Sequence, residues 1–302
     1  MKVKQLFLYN IEKEVASIDA ALLLRMKFDG QEDVSEEEIN CLLEQSELVQ
    51  KLTRDYEENI FFNLFRLVCL SEIPYIQLLP YTQKVIHFVS ERLSLAEGFS
   101  YTGEVDYIVP CYNAMLLEAY VRLGKAASQE AQNALQWIKQ YQVFERNQLT
   151  QWKYEGICKH GGCMKATPCY IGIGKAVRAL VIYAEFANHS DKEVEKLIEK
   201  GISYMLRHKM YQRLSNGAPI SAHITDIMFP QSYMLSATDL VYIAGKQKLW
   251  TDPSTKALKG LIDAKADCKI DYIYRHKGYK AFGVKGKESE WIKYLFDSNL
   301  SV

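Results

Sequence analysis

No stretch of this 302-residue sequence stays apolar for the ~18–20 residues that a membrane-spanning helix needs. Net charge is missing too. Lys+Arg and Asp+Glu both total 37, which removes the electrostatic argument for nucleic acid or an anionic membrane as partner. The first eight residues, Met1 to Leu8, lack the apolar run of an export signal. The expectation is therefore a cytoplasmic, reducing location. There the seven cysteines, odd in number and scattered, remain mostly free thiols rather than a disulfide framework. Strand signals are nearly absent. A phosphate loop is missing as well, since Gly172-x-Gly174-Lys175 has neither the preceding strand nor the full spacing. No Ser-His-Asp triad stands out, nor does a basic aromatic patch.

What remains is ordinary for a soluble globular chain, with 48% hydrophobic and 25% charged residues. Residues 1–60 hold 14 acids against 7 bases, a local excess that suits a solvated helical face. Tyrosine is abundant at 20 residues, enough either to line an apolar cavity or to fill a core.

Helical periodicity runs through the chain. Ile11–Met26 places Val15, Ile18, Leu22 and Leu23 on one face, and Ser35 with Glu38 forms a capping box that opens a helix to about Leu52. Ile60–Leu70 and Tyr81–Arg92 follow. The pattern then repeats. Apolar helices are expected to open at Pro110, Pro168, Pro230 (after Phe229) and Ser289, at intervals close to 60 residues. More polar helices fall between them at 129–142, 191–208 (with Ser190 and Glu193 as a capping box) and 254–264. Connections from apolar to polar helices are short, whereas those from polar to apolar are long: 97–109, 142–167, 212–229 and 265–288. An array that alternates direction would place all the long loops on one face, together with the N-termini of the apolar helices. Their dipoles suit an anionic group there.

The motifs Pro110-Cys111-Tyr112-Asn113, the pair Cys163 and Cys169, Gly172 followed by Lys175 to Leu180, and His208 to Tyr211 carry a resemblance. So do Phe229-Pro230 with Tyr233 and Asp239, and Glu288 to Trp291. From Gly98 to Phe296 the chain resembles proteins with prenyltransferase and squalene-oxidocyclase repeats, which are similar to terpenoid cyclases and protein prenyltransferases. The resemblance implies an all-α fold, an α/α toroid of inner and outer helices. It would form a single domain over 1–302, with divergent N-terminal helices at 1–95 and the repeat region at 96–302. The chain departs from these relatives in several ways. The Asp-x-Asp-Asp acid of class II cyclases and the Asp-rich magnesium motif of class I synthases are absent, and Gln136-Trp137 and Gln151-Trp152 are remnants of Gln-Trp repeats. Thr167 and Tyr170 flank the second cysteine where the relatives carry histidine.

Four groups of candidate site residues emerge. Cys158, His160, Cys163 and Cys169 supply four zinc ligands of irregular spacing, or are simply free thiols. Lys175 and Arg178, charges inside an apolar helix, bind an anionic head group at the mouth of the ring or else snorkel to solvent. Tyr112, Tyr170 and Tyr233 share one register just inside three helix starts and would meet an apolar chain or pack between helices. His223 and Asp226, three apart in a long loop, form a candidate acid–base pair. The leading functional expectation is an isoprenoid-type enzyme or binder holding an apolar chain with an anionic head group. The alternatives are a non-catalytic helical scaffold for protein or peptide and, last, a carbohydrate-active barrel, for which no carboxylate pair is evident.

Overall fold

The computed structural model describes residues 18–154, 163–165, 167–187 and 190–300. Among them the chain is all-α. Twelve α-helices carry the structure, and the two strands, Ser94–Leu95 and Gly98–Phe99, form a small antiparallel hairpin inside one long loop. In chain order the helices are α1 (Ala20–Asp29), α2 (Glu36–Gln45), α3 (Glu47–Thr53), α4 (Ile60–Ser71), α5 (Pro80–Leu93), α6 (Pro110–Arg122) and α7 (Gln129–Tyr141). They continue with α8 (Tyr170–Phe186), α9 (Lys192–Arg207), α10 (Ala237–Lys246), α11 (Lys256–Asp263) and α12 (Glu290–Leu300). Among the described residues no helix is long and apolar enough to cross a membrane.

Burial sorts these helices into two kinds. In α4 every residue from Phe62 to Ser71 is buried, in α6 every residue from Asn113 to Val121, and in α10 every residue from Ala237 to Ala244. Between Tyr170 and Tyr183 of α8 only Ile171 escapes burial. Helices apolar all round must be covered on all sides. Accordingly α4 packs on α6, α6 on α8, α8 on α10 and α10 on α12. The others bury one stripe. In α9 that stripe is Val194, Ile198, Gly201, Ile202 and Met205, and it lies on α8; α5 lies on α4, α7 on α6, and α11 on α10. Each fully buried aliphatic side chain contributes roughly 1.5–3 kcal/mol, so the tier α4–α6–α8–α10 holds a large share of the apolar stabilisation.

Several boundaries differ from expectation, each for a local reason. The helix expected from Phe229-Pro230 begins only at Ala237. Phe229-Pro230 is a cis peptide, and the helix is opened instead by a reciprocal capping box between Ser236 and Asp239. The helix expected from Ser35 to about Leu52 breaks at Ser46, whose Oγ caps α3 through the Val49 N–H and also donates to Asp19. Asp19 itself caps α1, so the part of the Ile11–Met26 expectation that lies in the described residues starts at Ala20 and runs on to Asp29. Helix α9 is capped by Asp191, which accepts from Glu193 and Val194, rather than by Ser190. Helix α8 starts two residues beyond Pro168, and the 254–264 expectation divides into a short 3-10 turn and α11. The fold therefore matches the expected alternation of apolar and polar helices, with the third apolar helix shortened.

Candidate functional site

Three helices contribute to a chain of buried charges through the middle of the packed tier. From α8, Lys175 donates to Asp239 Oδ1 (3.0 Å) and to Gln231 Oε1 (2.7 Å). One turn on, Arg178 donates from Nη1 to the same Asp239 oxygen (3.0 Å), and from Nε and Nη2 to both oxygens of Glu118 on α6 (2.9 and 3.0 Å). Arg122, four residues after Glu118, adds its Nε to Glu118 Oε1 at 2.9 Å. Asp239 turns its other oxygen to Ser236, so one carboxylate both caps α10 and ties it to α8. Lys175 and Arg178 are 1% and 2% exposed, so neither snorkels to solvent. Both are committed to acids and an amide of neighbouring helices. Burial opposes the charge on Glu118, but Arg178 and Arg122 outweigh it and hold its carboxyl at about 2. Burial likewise pulls Lys175 below its ordinary value, against the restoring pull of Asp239.

The N-terminal ends of the buried helices are filled by rings. Tyr112 stacks on Tyr233 (centroids 5.1 Å, planes 11° apart) and on Tyr101 (4.8 Å), while Tyr274 meets Tyr233 at 5.9 Å and Phe65 at 4.5 Å. Two of the three expected tyrosines are thus brought together. Tyr170 is not with them; it lies beside His208 and donates its hydroxyl to the Met210 carbonyl. His223 and Asp226 do meet. Asp226 Oδ2 lies 2.8 Å from Nδ1, and the Tyr272 ring lies 4.3 Å from the imidazole, tilted by 41°. A carboxylate holding Nδ1–H leaves Nε2 as the proton-accepting nitrogen, the arrangement of an oriented base.

Of the expected metal ligands, Cys158 and His160 lie outside the described residues. Cys163 and Cys169 are hydrogen-bonded to each other, with Cys111 beside them at the start of α6. No group of three or more His, Cys, Asp or Glu side chains among the described residues is placed to hold a metal ion.

An open cavity of about 330 Å³ lies at the opposite end, where the last turns of α1, α6, α10 and α12 and the residue after α4 meet. Because α1, α4, α6 and α10 end there, those four point the same way, while α12 lines the cavity from its first turn, at Trp291, to Asn299. One wall is polar: Arg25, Glu72, Arg122, Tyr242 and Lys246. The other is apolar: Met26, Phe229, Trp291, Tyr294 and Leu295. Arg122 links this cavity to the buried ion chain, since its Nε holds Glu118 while its guanidinium faces the Tyr242 ring at 5.6 Å. Neither terminal nitrogen of Arg122 makes a hydrogen bond to the described residues. Arg25 gives Nε to Asp29 (2.7 Å) and Nη1 to the Glu72 carbonyl (3.3 Å), and its Nη2 is likewise uncommitted among them. Glu72 is 2% exposed; its Oε2 faces Arg25 Nη1 at 3.6 Å, and its Oε1 has no hydrogen-bond partner among the described residues. The polar wall thus offers both unspent donors and an unmet acceptor.

Sequence reasoning missed Glu72, Arg25 and Arg122 altogether. Glu118 left a readable signal, an acid in the apolar run Met115–Tyr120, as Arg178 is a cation in the next one. No protein-family model, no curated protein and no solved structure matches this chain.

Proposed function

We propose that the chain is an α/α toroid, similar to terpenoid cyclases and protein prenyltransferases, that binds an amphiphile in the cavity where the buried helices end. The toroid reading is supported by the tier α4–α6–α8–α10–α12, in which each of α4, α6, α8 and α10 is backed by the one-faced helix that follows it, and by the shared direction of α4, α6 and α10. The ligand class is carried by one observation, the two-walled cavity. The terminal nitrogens of Arg122 and Nη2 of Arg25, which make no hydrogen bond among the described residues, suit a phosphate or carboxylate head. Glu72 Oε1 calls for an O–H or N–H on that head, because a buried acceptor without a partner costs about 1–3 kcal/mol. Trp291, Tyr294 and Leu295 receive the apolar tail. The head group is thereby moved from the helix N-termini, where the loops alone would put it, to the opposite face. There the side-chain cations must outweigh the negative ends of the helix dipoles.

An isoprenoid diphosphate and a hydroxylated fatty acid should each raise the melting temperature, while inorganic diphosphate and a prenyl alcohol, carrying one half each, should do less. No shift with any amphiphile would abandon this reading. A second reading, a non-catalytic helical scaffold for protein or peptide, is favoured by the ring cluster of Tyr101, Tyr112, Tyr233 and Tyr274 and the ion chain of Lys175, Arg178, Glu118 and Asp239, which fill the middle of the tier.

A further inference from the structure

We propose that the recess between the start of α8, the end of α9 and the loop 211–220 binds a sugar phosphate, with its phosphate on Arg146 and Arg213 and a hydroxyl on His208. The recess holds about 510 Å³ and shares no wall with the cavity at the helix ends. No carboxylate lines it. Both arginines are exposed on its rim. Arg146 makes neither an ion pair nor a hydrogen bond among the described residues. Arg213 commits only Nη2, to the Ile220 carbonyl at 3.4 Å. Two guanidinium groups without an acid between them suit an anion of more than one charge.

A sharp reversal of the chain after α9 builds the recess. His208 is the C-cap residue, and Lys209 and Met210 follow at φ 45° and 70°, left-handed values that cost a side chain energy. Tyr170, from the first turn of α8, holds this reversal by donating its hydroxyl to the Met210 carbonyl. The chain then folds back on itself. Arg213 N–H reaches the Ala218 carbonyl at 2.8 Å and Ile220 N–H the Tyr211 carbonyl at 2.9 Å, with Gly217 at φ 70° in the bend. Two successive left-handed residues without glycine are the kind of strain that collects at binding sites.

His208 is 7% exposed and lines the recess with a ring of fixed orientation. Gln212 N–H donates to the His208 carbonyl (2.6 Å), and the Gln212 carbonyl lies 2.9 Å from Nδ1. A carbonyl only accepts, so Nδ1 carries the proton and Nε2 keeps its lone pair. Burial pulls the imidazole below its ordinary value against the Gln212 carbonyl, and Arg146 and Arg207 add to that pull, so the ring is neutral at pH 7. No described residue donates to Nε2. Tyr204, 3% exposed, meets the imidazole at 4.9 Å, and its hydroxyl also makes no hydrogen bond among the described residues. The ligand therefore needs a strongly anionic part for the guanidinium groups and a neutral O–H part for Nε2 and the Tyr204 hydroxyl. A sugar phosphate has both, since its phosphate carries about two negative charges at pH 7.

Calorimetric titration of the full-length chain with glucose 6-phosphate, and with sulfate as a dianion that has no hydroxyl, tests the proposal. Glucose 6-phosphate should bind saturably and more tightly than sulfate. The double variant Arg146→Gln/Arg213→Gln alters only exposed side chains and should weaken both ligands at least about tenfold. His208→Asn keeps an N–H for the Gln212 carbonyl but removes the Nε2 acceptor. It should weaken glucose 6-phosphate about tenfold and leave sulfate unchanged, a split that mere loosening of the loop would not give. No binding to the parent chain, or equal affinity in the parent and the double variant, would overturn the assignment. So would sulfate or a phosphoserine peptide binding as tightly as glucose 6-phosphate.

Discussion

Arg178 grips Glu118 with two parallel hydrogen bonds, Nε to Oε2 at 2.9 Å and Nη2 to Oε1 at 3.0 Å, where both side chains are at most 2% exposed. Removing one partner of such a pair strands the other as an uncompensated buried charge. Glu118→Gln should therefore lose about 3–5 kcal/mol in urea unfolding. Arg178→Lys should lose almost as much, because a single ammonium cannot span both oxygens and Asp239. The double variant Glu118→Gln/Arg178→Met should lose at least about 1 kcal/mol less than the sum of the single variants Glu118→Gln and Arg178→Met. Additive losses would mean that the pair is not coupled.

Acid should destabilise the protein in two stages. Burial, with Arg66 adding to it, holds His276 down to about 4 in the folded chain, below the ordinary ~6.5. Its Nδ1 already accepts from the Gly278 N–H. A depressed histidine supports stability above its unfolded value, and that support is lost as the pH falls from about 6.5 to 4. Glu118, held at about 2, repeats the loss between its ordinary ~4.3 and 2. Denaturation midpoints measured across this range should fall in both windows, and His276→Gln should flatten only the upper one. A flat profile down to pH 4 would remove His276 from the account.

Gly172→Ala sets two magnitudes against each other. In a helix, alanine is worth up to about 1 kcal/mol over glycine. Here its methyl would meet the rigid Pro110 ring at 2.8 Å, and forcing extra volume into a packed seat costs about 1–3 kcal/mol. The clash should win, giving a net loss in thermal or urea unfolding. A net gain would show that α6 and α8 can separate without penalty.

How much of this was legible depended on whether the signal was local. Lys175 and Arg178 stand out as charges in an apolar run, but their partners lie far along the chain, 60 residues from Arg178 to Glu118 on α6 and 64 from Lys175 to Asp239 on α10. Choosing them requires knowing that α6, α8 and α10 run side by side in the same direction. Tyr112 and Tyr233 were grouped correctly from their offsets after Pro110 and Pro230, yet Tyr233 lies in a non-helical stretch before α10. The Ser236–Asp239 capping box was present in the sequence, and Pro230 was the misleading cue. Nothing local announced the cavity, because its walls come from α1 and α12, at opposite ends of the chain.

That cavity is the centre of the account, and filling it is the most direct test. Ser298 lies on its exposed lip, so Ser298→Trp should occlude it while leaving the buried tier intact. Calorimetric titration of an isoprenoid diphosphate into the parent chain and into Ser298→Trp decides the matter. The account predicts saturable binding to the parent and at least about tenfold weaker binding to the variant, a difference of about 1.4 kcal/mol. Equal affinity for both chains, or no binding to the parent, would contradict it.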